Sequence, residues 1–224
     1  MSIVNLRYHY ELAPSPNHGG PRPGTMGVVI HSTRGNTSSH YEEYAATLAW
    51  FSNPASQVSA HRVIGYDGGG AICVDDDLIA WHATDHNTRW LGVELTQPRI
   101  TDPFSEAQYE SLAALLKEWA SAYGFPLDRA HLVAHSEINR QKSDPGPLFD
   151  WDKLMGLLEE TMPDAQKAEL NRIADIFAGW AKLRHGLSDY INASVGQYGV
   201  SDTLDEREGT ELDGAVESLR KLAG

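Results

Sequence analysis

His135 stands at the end of a short apolar run, Leu132-Val133-Ala134, and a polar loop after it brings Lys142 and Asp144 together ahead of Pro145-Gly146. An imidazole nitrogen and a carboxylate oxygen are both good zinc ligands, at about 2.0–2.2 Å. Pro145 restricts the backbone of Asp144 to extended conformations, so a stiff turn can aim its carboxylate. One more ligand would leave the open fourth position of a catalytic zinc, and His31, at the end of another apolar run, offers it. The chemistry such a set supports is metal-assisted hydrolysis of an amide. With ten histidines in the chain, a histidine near a carboxylate weighs little by itself. His31 and His135 stand apart because each closes an apolar strand and opens a polar loop, where sites are built. On pattern alone a structural role for either stays open. The spacing from His135 to Asp144 is not that of a helical ligand pair, so only the fold can bring the three together.

The elements that must position them alternate along the chain. Residues 1–24, rich in Pro and Gly, read as an ordered arm or loop and not a helix. Met26 to Thr33 reads as a fully buried strand. Ser39 to Glu42 has capping-box spacing and opens a helix that Asn53-Pro54 stops. Val58 to Tyr66, a turn at Asp67-Gly68-Gly69-Gly70 and Ala71 to Val74 form a hairpin. Leu91 to Thr96 is an apolar strand interrupted by one acid, Glu94. A second capping box, Ser105 to Gln108, opens a helix closed by Gly124. Leu132–His135 is the last strand, and Trp151–Glu160 a closing helix. This is an α/β pattern: a mixed central sheet flanked by helices, with a helical extension at the C-terminus. The expected division is a catalytic domain over 1–158 and a helical segment over 159–224. That segment carries an apolar stripe at Leu170, Ile173, Ile176, Phe177, Trp180, Leu183, Leu187 and Tyr190, then a short helix around Leu212–Leu222. It is too small for a large core of its own, so it packs on the first domain, self-associates or binds a partner.

Composition excludes several classes. The formal charge is −13, from 18 Lys+Arg against 31 Asp+Glu. Nucleic acid needs a basic footprint that this balance lacks, and anionic lipid is disfavoured too. No apolar run approaches the roughly 20 residues of a membrane span. The first residues lack a secretory signal pattern, which leads to the expectation of a chain made in the cytoplasm. Cys73 is the one cysteine, so no intrachain disulfide forms, and it reads as a buried strand residue. Six of the other histidines, His9, His18, His40, His86, His131 and His185, read as surface or packing residues. The run Asp75-Asp76-Asp77 reads as a solvated turn.

Taken in order, Val29-Ile30-His31-Ser32-Thr33, Val58-Ser59-Ala60-His61, Ala80-Trp81-His82-Ala83, Leu91-Gly92-Val93-Glu94-Leu95, Ala134-His135-Ser136-Glu137-Ile138 and Lys142-Ser143-Asp144-Pro145-Gly146 carry a resemblance. They resemble the zinc-dependent N-acetylmuramoyl-L-alanine amidases of the type-2 family. That family includes phage endolysins, the bacterial anhydromuropeptide-recycling amidase and, more distantly, peptidoglycan recognition proteins. The resemblance covers about residues 25–152 and leaves out 160–224. It implies that His31, His135 and Asp144 are the zinc ligands. Some members place a cysteine at the third ligand position, where this chain has Asp144. Some place a catalytic tyrosine directly before the histidine matching His61, where this chain has Ala60, so the weight falls on Glu94.

Glu94 is an acid in an otherwise apolar strand. Burial disfavours its charged form, and a raised pKa suits a group that takes a proton from water and returns it to a leaving amine. Lys142, two residues before a ligand, can stabilise the oxyanion of a tetrahedral intermediate. His61, Trp81, His82 and Asn87 read as substrate-lining residues or as neighbours that hold the ligands, since a ligating histidine usually has its other nitrogen held.

The expected function is therefore zinc-dependent cleavage of the amide between N-acetylmuramic acid and L-alanine, most simply as a phage or prophage endolysin acting on the wall. A cytosolic recycling amidase for soluble muropeptides and a non-catalytic peptidoglycan-binding module are the rivals. The C-terminal helices would then serve wall targeting or self-association.

Overall fold

The structure is a computed structural model that describes residues 9–159, 168, 171–180 and 182. The chain divides into two units, Met1–Glu160 and Thr161–Gly224.

In the first unit eight strands and four helices follow one another: β1 (Tyr10–Leu12), β2 (His18–Pro21), β3 (Gly27–Ser32), α1 (His40–Ser52), β4 (Arg62–Ile64), β5 (Gly70–Ile72), β6 (Leu78–Ala80), β7 (Trp90–Leu95), α2 (Glu106–Tyr123), β8 (Leu132–Ala134), α3 (His135–Ile138) and α4 (Trp151–Glu159). Six strands form one sheet in the order β1-β5-β4-β7-β3-β8, and β2 pairs with β6 apart from it. Only the β4–β5 hairpin is antiparallel within the large sheet; β3 lies parallel to both β7 and β8. The expected mixed sheet flanked by helices is the architecture found.

Both helix starts fall where read, but the box at α1 is half-formed, because the Glu42 carboxylate accepts from the Ser38 amide and hydroxyl and not from Ser39. Ser39 caps α1 by accepting from the Glu42 amide, and Asn53 ends it. Around α2 the capping box is complete, with Ser105 and Gln108 satisfying each other's amides, and Gly124 closes it at φ 74. Because side chains alternate along a strand, the two faces of the sheet differ. Val28 and Ile30 of β3, Ile64 of β4 and Leu91, Val93 and Leu95 of β7 pack with Leu112, Leu116 and Trp119 of α2 and Leu154 and Leu158 of α4. On the other face Val63 and Ala71 meet Phe51, Tyr44 and Leu48 of α1 in a smaller cluster that includes buried Cys73.

Two expectations are refined. The arm is ordered and not helical, as read, but residues 10–12 and 18–21 pair as strands: β1 docks parallel on the β5 edge, and the buried Ser15 and Asn17 that follow it are tied to the Phe51 carbonyl. The acidic turn is not simply solvated, because Asp76 ion-pairs with Arg62 at 2.7 Å and accepts from the Trp119 indole at 2.9 Å. In the second unit residues 171–180 are helical, with Ala174 buried and Ile176, Phe177 and Trp180 exposed. Leu170, Leu183, Leu187, Tyr190, His185 and the helix expected around Leu212–Leu222 lie outside the described residues.

Candidate active site

Three adjacent parallel strands end together, and the register decides what meets. His31 of β3 is the direct partner of Glu94 of β7, and Ile30 is the partner of Ala134 of β8, so His135 emerges beside His31. Ligand sites form outside the carboxyl ends of parallel strands, where loops diverge. Asp144 arrives by a loop that several bonds hold. Its carbonyl accepts from the Ser136 amide at 3.1 Å, and Ser32 Oγ donates to the Pro145 carbonyl at 3.3 Å. Arg34, in the left-handed region at φ 56, donates to Ser143 Oγ at 2.7 Å and to the Ser143 carbonyl at 3.0 Å. Its own amide is anchored on the Gln97 carbonyl. The Asp144–Pro145 peptide is cis.

His31 Nδ1 lies 3.0 Å from His135 Nδ1 and 3.0 Å from Asp144 Oδ2, and the latter two are 3.1 Å apart. Donor atoms around a tetrahedral ion with bonds of about 2.0–2.1 Å sit about 3.3 Å apart, so this triangle fits zinc with a slight opening. Hydrogen bonding alone satisfies it poorly. Three lone-pair atoms converge, and a neutral imidazole has one proton for its two nitrogens. Burial holds His31 below the ordinary imidazole range, with His135 adding to the effect against the pull of Asp144. Burial alone would push the Asp144 carboxyl up, but the two imidazoles against it more than offset this and keep it ionised. Neutral imidazoles and a charged carboxylate are the forms that bind a cation.

Glu94 and Lys142 border the same cleft, which has a volume of about 500 Å³. Glu94 Oε2 is shielded and has no hydrogen-bond partner. Burial first, and the Asp144 charge second, push its carboxyl well above the usual range, while Lys142 opposes them. Lys142 is exposed at the cleft edge. Trp81, Trp50 and Val58 also line the cleft, and Trp50 is 55 % exposed.

The other expected residues divide. Trp81 and His82 reach the cleft; His61 and Asn87 do not line it. His61 is fully buried, accepting from the Gly92 amide and donating to the Leu78 carbonyl, and burial lowers its pKa to about 3. Asn87 Oδ1 accepts from the amides of His82 and Ala83 and so fixes the loop that carries His82. Sequence reasoning did not single out Arg34 or Trp50. An arginine just past a strand end is a weak cue, and a tryptophan within an apolar helix carries no signal that sets it apart from core.

The profile of the N-acetylmuramoyl-L-alanine amidase family matches residues 21–147. The chain belongs to that family. It is an enzyme of the amidase type. Amidase A of Achromobacter lyticus is 32 % identical in an alignment 167 positions long that covers 65 % of this chain and 90 % of that one. The 1,6-anhydro-N-acetylmuramyl-L-alanine amidase AmpD of Salmonella typhimurium is 33 % identical over 46 % of this chain and 58 % of its own. AmiD of Escherichia coli is 30 % identical over 62 % of this chain; the amidase chain spans only about half (55 %) of that relative. Among solved structures, selenomethionyl AmpD superposes at a TM-score of 0.58 with 27 % identity, covering 67 % of this chain and 94 % of AmpD. The catalytic domain of XlyA, at 21 % identity and a TM-score of 0.51, shares the amidase fold.

Proposed function

We propose that this amidase hydrolyses the amide joining N-acetylmuramic acid to L-alanine in peptidoglycan, with zinc held by His31 Nδ1, His135 Nδ1 and Asp144 Oδ2. The triangle of those three atoms, 3.0–3.1 Å on each side, is the observation that carries the reading. Held by these three residues, zinc would supply Lewis acidity to a water and to the scissile carbonyl. Glu94, set beside His31 by strand register and raised in pKa, takes the proton from the attacking water and passes it to the departing amine. The Lys142 ammonium faces the same space and offsets the charge that develops on the carbonyl oxygen. Trp81 and Trp50 offer flat apolar walls to a sugar or peptide.

The test is metal removal. Chelation should abolish release of L-alanyl peptide from muropeptide, and one equivalent of zinc should restore it. Full turnover by the metal-free protein would refute the zinc assignment, and tightly bound zinc with no product would favour a binding module.

The natural substrate is proposed to be intact wall, as for an endolysin, because the second unit presents Phe177 and Trp180, the latter 67 % exposed. That unit would serve wall targeting or self-association, and loss of sacculus binding or of self-association in Trp180→Ser is expected. A second reading, recycling of soluble anhydromuropeptides, is favoured by the likeness to AmpD. Turbidity loss of purified sacculi, compared with cleavage of soluble anhydromuropeptide, separates the two. Cleavage of the soluble substrate alone would overturn the wall reading. Among the described residues no helix is long and apolar enough to cross a membrane.

A further inference from the structure

We propose that His82, seated in a notch left by Gly92, is a positioning residue that fixes His31 in the tautomer whose Nδ1 carries no proton toward His135 and Asp144. This deepens the zinc reading and rests on it for the metal half of its test.

The proton inventory leaves little choice. His82 Nε2 lies 3.1 Å from the Trp90 carbonyl, which can only accept, so that nitrogen carries hydrogen. Because the neutral ring has a single proton, His82 Nδ1 is a lone pair, and it lies 3.0 Å from His31 Nε2. His31 must therefore donate from Nε2, which leaves its Nδ1 bare where the ligand triangle forms. Without this acceptor the proton would shift. Asp144 Oδ2 stands 3.0 Å from His31 Nδ1, and a charge-assisted bond there is the stronger alternative. His61 cannot compete for His82, since its own nitrogens are taken by the Gly92 amide and the Leu78 carbonyl.

Packing enforces the same arrangement. The His82 ring meets His31 edge-on, with centroids 5.2 Å apart at 89°. A Cβ at position 92 would fall 2.6 Å from His82 Cγ and 2.7 Å from its Nδ1, closer than real contacts allow. Any side chain there would drive the ring off His31. A glycine inside a strand weakens it and marks a close approach, and here the approaching group is an imidazole. Asn87 holds the other end by accepting from the His82 amide at 3.0 Å.

The experiment reads tautomers first. Long-range proton–nitrogen correlation on the ¹⁵N-labelled, metal-free full chain should show His31 and His82 both protonated at Nε2; protonation of His31 at Nδ1 would overturn the proposal without any variant being needed. Zinc affinity is then measured by competition with a chromophoric chelator. His82→Leu should bind zinc about 10–100-fold more weakly, the usual cost of removing a group behind a ligand. His82→Asn, whose Oδ1 can accept where Nδ1 did, should recover most of that loss. Unchanged affinity in His82→Leu would overturn the role. The tautomers are read without metal, so zinc-independent turnover would sink the functional reading and leave this one standing.

Discussion

Val28 and Ile30 of β3 face α2 together with Leu91, Val93 and Leu95 of β7, all fully buried, whereas His31, Gly92 and Glu94, which alternate with them along the same strands, face the other way. The first set builds a continuous apolar core with α2 and α4. The second set carries a neutral imidazole, an acid with a shielded, unpartnered oxygen, and a glycine in place of a side chain. Strand periodicity of two thus assigns stability and chemistry to opposite sides of one sheet. Each strand is held by one face so that the other can tolerate groups a core would reject.

That contrast can be broken at chosen points. The largest effect is expected for His135→Ala, which should lose zinc and fall to background turnover while the metal-free protein stays folded; retained zinc would move the metal centre elsewhere. Glu94→Gln should keep zinc and lose about 10²–10⁴-fold in kcat, the range for removing a general base. Turnover within a few-fold of the parent would remove Glu94 from the chemistry. Leu112→Ala, on the opposite face, should cost about 2–5 kcal/mol in urea unfolding with kcat per folded molecule unchanged. A fall in kcat would show that the two faces are coupled.

The smallest effect concerns acid. His61 has its pKa lowered to about 3 by burial, below the unfolded value of 6.5. The unfolded chain therefore takes up this proton first as pH falls. The stability His61 contributes is whole above pH 6.5 and is lost progressively down to about 3. By pH 5 the loss is on the order of 2 kcal/mol. Metal-free His61→Gln should show a shallower decline between pH 7 and pH 5, and an identical slope would mean that His61 does not titrate as its burial requires.

Much of this layout was legible in the sequence because it is local. Apolar runs marked β3 and β7, Ser39 and the Ser105–Gln108 box marked the starts of their helices, and strand ends marked His31 and His135. The expected strand at Val58–Tyr66 shrinks to Arg62–Ile64, because the Ser59 amide turns to the Trp81 carbonyl and leaves the sheet. What could not be read was non-local. Arg34 clasps a loop more than a hundred residues away, His82 finds its role only through β3 and β7, and Asp76 is drawn from solvent by Arg62 and Trp119. Pattern tells which residues end a strand; register tells which of them become neighbours.

The gap at Gly92 has a practical bearing on engineering. A routine thermostabilisation screen would replace a mid-strand glycine with valine or isoleucine and score the variant by melting temperature. At this position such a gain would be deceptive, because the added methyls would occupy the seat of the His82 imidazole that packs edge-on against His31. Variant libraries of this enzyme should hold residue 92 constant and seek hardening in the helices that cover the other side.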